Sequence, residues 1–275
     1  MSPDPPSNGY GAINSSGRHT APHVDEEQPL LGDGLSLKSR WRDNMMTNVC
    51  RDWADLILLA CYVVTGMLDS ASISTWGSFV SMQTGNTVYF GLGIAAPKES
   101  TRWIKSATSI VFFCAGSVFF SSFHRYFSPT RRWVLCASFI IQTAVIVAAA
   151  AILTFGPKST DPKESIGWPE LVPIALIAFQ SCGQAVVSRA LKFNALTSVV
   201  LTSLYCDLFS DANLLAMQNA ERNRRVAAPL LLLGGAVLGG LLAHSSFGCA
   251  GALWVAAALK LCVVVAWFSW PAETK

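Results

Sequence analysis

A carboxylate, two amides and a run of hydroxyls are concentrated between Gly66 and Thr87, where the chain reads GMLDSASISTWGSFVSMQTGNT between two apolar runs. Each unpaired polar group in hydrocarbon costs several kcal/mol, so Asp69, Ser72, Gln83, Thr84, Asn86 and Thr87 would line a solute or ion site or hold a break in a helix. Asp69 carries two readings: a cap that accepts from the backbone of the next helix, or the carboxylate of a cavity or ion site. Gln83, Asn86 and Thr87 fall within about one helical turn and form a polar stripe, suited to a binding surface or to interhelical hydrogen bonding.

The second half of the chain carries its own set. Ser203, Asp207 and Asp211 recur every four residues and share one helical face, with Asp207 the deeper acid. Lys260 sits at the centre of the apolar run 249–270, about 15 Å from either end at 1.5 Å per residue and too far to snorkel, so a partner is expected. Asp207 is the first candidate and Asp69 the second; the pair would lock two helices or titrate during coupling. Arg189 and Lys192 would bind an anionic group, pair with Asp69, or stand as cations at the membrane surface. His124 and His244 are isolated, so no metal or other cofactor is expected. No HExxH, catalytic carboxylate pair, Ser-His arrangement or phosphate-binding loop is present, and enzyme chemistry is not expected.

These residues need membrane helices to position them. With 52% hydrophobic and 13% charged residues, the chain has too little polar surface for a soluble globule. Eight apolar segments are predicted, at about 54–68, 79–96, 104–123, 133–155, 171–188, 195–215, 226–243 and 249–270. The first falls short of the roughly 20 residues of a crossing, so it either runs on into the Ser-rich patch or stops inside the membrane. Six full crossings with broken helices are the alternative. Trp53, Trp103, Trp133, Trp168 and Trp270 mark an interfacial belt. The eight cysteines read as small buried hydrophobes. The glycines of LLLGGAVLGGLLA predict a close helix contact, within the monomer in preference to a dimer seam.

Residues 54–155 and 171–270 share one layout: an apolar run ending in Gly, a polar break, a Thr-bearing segment, a charged loop, a Gly-containing segment and a segment near a Trp. Gly66 corresponds to Gly183, Thr84 to Thr202, Gly116 to Gly235 and Trp133 to Trp254, with an offset drifting from 117 to 121 residues. Two duplicated halves are therefore expected, 53–155 and 171–270, joined by a loop over 156–170 and followed by a short tail over 271–275.

Residues 1–52 have no apolar periodicity and read as a flexible tail without a cleaved signal peptide. With the N-terminus inside, eight crossings place 14 Lys and Arg residues inside and five outside; six give 12 and five with Arg189 and Lys192 embedded. Both termini are thus expected in the cytoplasm. There the tail segment Asp25-Glu26-Glu27-Gln28-Pro29-Leu30-Leu31 resembles an acidic dileucine signal read by clathrin adaptors, with Glu26, Leu30 and Leu31 as its carriers. Vacuolar or lysosomal membrane is favoured over plasma membrane. A net charge of +3 is too dispersed to argue for nucleic acid.

Gly66-Met-Leu-Asp69-Ser-Ala-Ser72, Gly77-Ser-Phe79-Val80 and Gln83-Thr84-Gly85-Asn86-Thr87 together resemble the YoaK-like family of multi-pass membrane proteins of unknown function, over roughly 54–270. That family has a G-x-x-D-A-x-S-F-like start, an F-V-x-x-x-T-G-N core and an Arg-rich break before a Thr-bearing helix, which Arg189 to Thr202 resembles. This chain departs at Ile73, where an aromatic is more usual. The resemblance implies a polytopic all-α fold and brings no substrate with it. Residues and resemblance together lead to an expected small-solute or ion-coupled transporter, with a non-transport membrane scaffold or accessory subunit as the rival.

Overall fold

The computed structural model describes residues 37–157, 166–216 and 218–273. Six of its helices are long and apolar enough to cross a membrane: α2 (Ala54–Trp76), α4 (Arg102–Phe127), α5 (Arg132–Phe155), α6 (Trp168–Ala190), α8 (Ala220–Ala243) and α9 (Gly248–Ser269). The chain is a polytopic helical membrane protein. Three further helices are shorter: α1 (Leu37–Met46), α3 (Gln83–Ala95) and α7 (Thr202–Phe209). At 1.5 Å per residue α3 spans about 20 Å and α7 about 12 Å, well short of a hydrocarbon core of about 30 Å. The expected eight crossings are therefore corrected to six candidate crossings with two short intervening helices. Apolar composition registers contact with hydrocarbon and does not separate a crossing from a helix that enters and leaves by one face.

The first predicted segment runs on through the Ser-rich patch and ends at Gly77, whose φ of +75° and amide bond to the Ile73 carbonyl close α2 in the left-handed region glycine favours. Contacts at helix ends define two faces. At one, the Val49 amide donates to the Thr130 carbonyl and the Cys50 amide to the Pro271 carbonyl, each at 3.0 Å, and Arg224 pairs with Asp55 at 2.6 Å. The starts of α2, α5 and α8 and the end of α9 therefore share a face with both described chain ends, here termed the terminal face. At the opposite face Arg102, opening α4, donates to the Gly77 carbonyl, and Lys105 pairs with Glu170 of α6 at 2.6 Å.

Residues 37–52, expected to belong to the flexible tail, are docked on this terminal face. Arg132 donates to the Asn44 side chain and backbone carbonyl, and Val49 is buried. Arg125, Arg131 and Arg132 lie on the terminal face and Arg102 and Lys105 on the opposite one, the reverse of the eight-crossing placement and the arrangement that six crossings give. Arg189 and Lys192 are exposed at the end of α6 on the terminal face.

The major helix pairs are α2 with α8, α4 with α6 and α5 with α9. Glycines set the first two crossings. A Cβ on Gly235 would lie 2.1 Å from the Val63 carbonyl oxygen of α2, and one on Gly116 would lie 2.3 Å from the Phe179 oxygen of α6. The glycine-rich run of α8 is thus an internal seam, as small residues allow when backbones approach closely. The expectation of buried cysteines needs correcting, because Cys114, Cys206 and Cys262 face outward while Cys61, Cys136, Cys182 and Cys249 are buried.

Candidate functional site

Residues 78–82 leave α2 without helical partners, so their buried backbone groups must be satisfied by side chains. The first polar patch supplies them. Asp69 Oδ1 accepts the amides of Val80 at 2.8 Å and Ser81 at 2.9 Å, and its Oδ2 accepts the Ser81 hydroxyl. Ser72 donates to the Ser78 carbonyl at 2.8 Å. Asn86 clasps Phe79 from the following helix, accepting its amide at 3.0 Å and donating to its carbonyl at 2.7 Å.

From there α3 runs back to the face it came from. Gln83 and Asn86, in its first turn, donate to Ser109 of α4 at 3.2 and 3.0 Å. Its last turns lie beside Arg102 and Trp103, at the start of α4. The break thus reaches two turns into the protein, about 10 Å by helical rise, and returns. Arg102 stacks over Tyr89, 3.4 Å from the ring centroid, and so closes the outer end of the hairpin. Thr84 and Thr87 are exposed on α3, where Thr87 donates to the Gln83 carbonyl at 2.8 Å.

The second break, residues 191–201, is held differently. Gln184 of α6 donates to Thr65 of α2 at 2.8 Å and to Ser198 of the break at 3.0 Å. Ser188 donates to the Phe193 carbonyl at 2.5 Å. The short α7 then buries Leu204 and Leu208 and turns Thr202 and Asp207 outward. After α7, Asp211 is held below the usual carboxylate range, first by the Asn213 amide at 2.8 Å and also by Asn219 and Arg225.

Lys260 does not meet Asp207. It is fully buried at the middle of α9 and donates to Gln142 Oε1 of α5 and to Gln180 Oε1 of α6, the latter at 2.8 Å. The expected pairing fails because Asp207 faces outward and because Asp69, the second candidate, is engaged by the amides of its own break. Two amide dipoles take the place of a carboxylate, and the Phe139 ring lies 5.4 Å from Nζ.

The predicted site residues therefore separate. Asp69, Ser72, Gln83 and Asn86 gather at the first break; Thr202, Asp207 and Arg189 stand apart from them, and Lys260 forms its own centre. Sequence reasoning passed over Ser81, Ser109, Gln142, Gln180, Gln184 and Ser188. The signal was present for three of them, since Gln180, Gln184 and Ser188 recur every four residues on a mostly apolar helix. Among the described residues no cluster of His, Cys, Asp and Glu is suited to a metal ion. Glu26, Leu30 and Leu31 lie outside the described residues.

No curated protein and no solved structure matches the chain. The model of a family described as a protein of unknown function, DUF1275, matches residues 57–266, a span that contains both breaks and Lys260, and the chain belongs to that family.

Proposed function

We propose that the protein is a small-solute or ion-coupled transporter, with Lys260 as the coupling charge held in this conformation between Gln142 and Gln180. The observation that carries the reading is a fully buried lysine at the middle of a membrane helix, bonded to two neutral amides and to no carboxylate. A charge at that depth is costly and is typical of ion and proton pathways.

Taken as duplicates of opposite orientation, the two halves support this reading. Each half, α2–α5 and α6–α9, has a long helix, a short one and two long ones, and three crossings per half turn the second upside down. Asp55 and Arg224 join the first turns of α2 and α8 at the terminal face; Glu170 and Lys105 join those of α6 and α4 at the opposite one. The same exchange relates Gly235 against Val63 to Gly116 against Phe179. Inverted repeats with discontinuous helices are a common transporter design.

Flux and thermal unfolding of the reconstituted protein, measured together across a panel of solutes and protons, test the proposal. Lys260→Met fills a similar volume and leaves the two glutamines free to bond each other, so flux is lost while the melting temperature stays within a few degrees. Absence of flux in the parent, with variants altering stability alone, sinks the transporter. The scaffold reading has one observation in its favour: Asp69 and Asn86 bond to the protein's own backbone.

The basic terminal face argues for cytoplasmic termini, and the dileucine signal then argues for a vacuolar or lysosomal membrane. Leu30→Ala with Leu31→Ala is expected to redirect a tagged protein without unfolding it. Unchanged localisation removes the sorting argument.

A further inference from the structure

We infer that the notch between the ends of α4 and α6 is a binding site for the phosphodiester headgroup of an anionic phospholipid. The notch has a volume of about 460 Å³ and is lined by Ser121, His124, Arg125, Pro129, Val186, Arg189 and Ala190. Its two guanidinium groups come from different helices, and no acidic residue lines it. The Arg189 side chain forms no ion pair or hydrogen bond among the described residues, and Arg125 reaches only the Ser122 hydroxyl, at 3.3 Å.

His124 adds a second, independent observation. It is 3% exposed, and neither ring nitrogen has a partner in hydrogen-bond geometry, the Pro129 backbone being near enough to act on the ring but not to satisfy it, although at least one nitrogen of an imidazole always carries a proton to donate. Buried polar atoms without partners are uncommon in a relaxed structure and point to a group that completes them. Two arginines and an imidazole at the edge of a cavity suit a phosphate oxygen better than a carbonyl or a sugar, because guanidinium groups recognise phosphate with paired, charge-assisted bonds.

The level in the membrane selects the lipid. The notch lies at the terminal face, in the last turns of α4 and α6, beside an aromatic group in which Phe127 and Trp133 are 5.0 Å apart and Phe123 and His124 5.8 Å apart. Such rings mark headgroup depth, and basic pockets between membrane helices at that depth suit anionic headgroups. The opposite face offers an internal contrast. The exchange of halves that relates Asp55 and Arg224 to Glu170 and Lys105 places Gly240 of α8 against Ser70 of α2, and the last turns of those two helices carry no arginine of their own. The notch is therefore a property of these residues and not of the helix crossing.

The full-length protein, exchanged into detergent until endogenous lipid is removed, is titrated with phosphatidylglycerol, phosphatidylcholine or inorganic phosphate while thermal unfolding and lipid adducts by native mass spectrometry are recorded. Phosphatidylglycerol is expected to raise the melting temperature and survive as an adduct, and the other two probes to do neither. Arg125→Gln with Arg189→Gln should weaken phosphatidylglycerol binding about thirtyfold while leaving the lipid-free melting temperature unchanged, since both side chains are exposed. Arg189→Gln alone, which removes a side chain with no partner, repeats the test with a smaller loss. Equal binding by the double variant or by phosphatidylcholine overturns the inference. An equal response to inorganic phosphate overturns the lipid as occupant and leaves a free-anion site.

Discussion

Asp69 and Gln184 stand six or seven residues before the ends of α2 and α6, and each reaches forward to the irregular segment that follows its helix. Ser72 and Ser188 do the same beside them, each donating to a carbonyl of its own break. The two breaks thus share a plan but differ in their central group. The first uses a carboxylate, which accepts two amides and a hydroxyl, and adds Asn86 from α3 as a second clasp. The second uses an amide that donates to two hydroxyls and leaves its own Oε1 unpaired. A carboxylate with three donors is a stronger anchor than an amide with two neutral acceptors, because bonds to a charged group contribute roughly twice as much as neutral ones.

That difference predicts unequal sensitivity. Asp69→Ala strands the Val80 and Ser81 amides and the Ser81 hydroxyl, and at about 1–3 kcal/mol for each stranded group the expected loss is on the order of 3–9 kcal/mol. Asp69→Asn is the sharper variant. Both amides bond to one oxygen, which asparagine keeps, and the Ser81 hydroxyl can rotate to accept from the new NH2 group. The asparagine variant is therefore expected to retain most of the stability that the alanine variant loses, by thermal unfolding in detergent. If it also retains transport, the carboxylate acts as an anchor and its charge is dispensable to function; if it folds normally and loses transport, the charge belongs to the pathway. Equal destabilisation by Asn and Ala would break the account of the first break.

How far the sequence reveals these arrangements depends on where the polar atoms end up. The first break is legible because Asp69, Ser72, Gln83 and Asn86 are close in sequence as well as in space, and a half-helix returning to its own face keeps them so. The Lys260 centre is not, because its partners lie 118 and 80 residues away on α5 and α6, and glutamine in an apolar run gives no charge signal. The rule that a buried cation seeks an acid pointed to Asp207, yet two amide oxygens can also share an ammonium. Crossing number was hidden for a related reason: α3 and α7 are as apolar as spanning helices, and only their length and hydrogen bonds set them apart. The glycine seam of α8 was legible, since close backbone approach leaves few residue choices.

The smallest effect is expected at the second break. Gln184→Ala removes two neutral hydrogen bonds, but Thr65 retains its bond to the Cys61 carbonyl at 3.0 Å, so one of the two hydroxyls that accepted from Gln184 still donates its own hydrogen bond. The unpaired Oε1 of Gln184 is removed at the same time, which relieves an existing cost. With neutral bonds contributing about 0.5–1.5 kcal/mol each, the net loss should be on the order of 1 kcal/mol, clearly below that of Asp69→Ala. Hydrogen exchange offers the discriminating measurement, because a loosened second break would speed exchange over residues 191–201 and leave 77–82 protected, whereas Asp69→Ala would do the converse. A loss at Gln184 matching that at Asp69, or exchange spreading through both segments in either variant, would mean that the breaks form one cooperative unit across the α2–α6 contact, with Thr65 carrying the coupling.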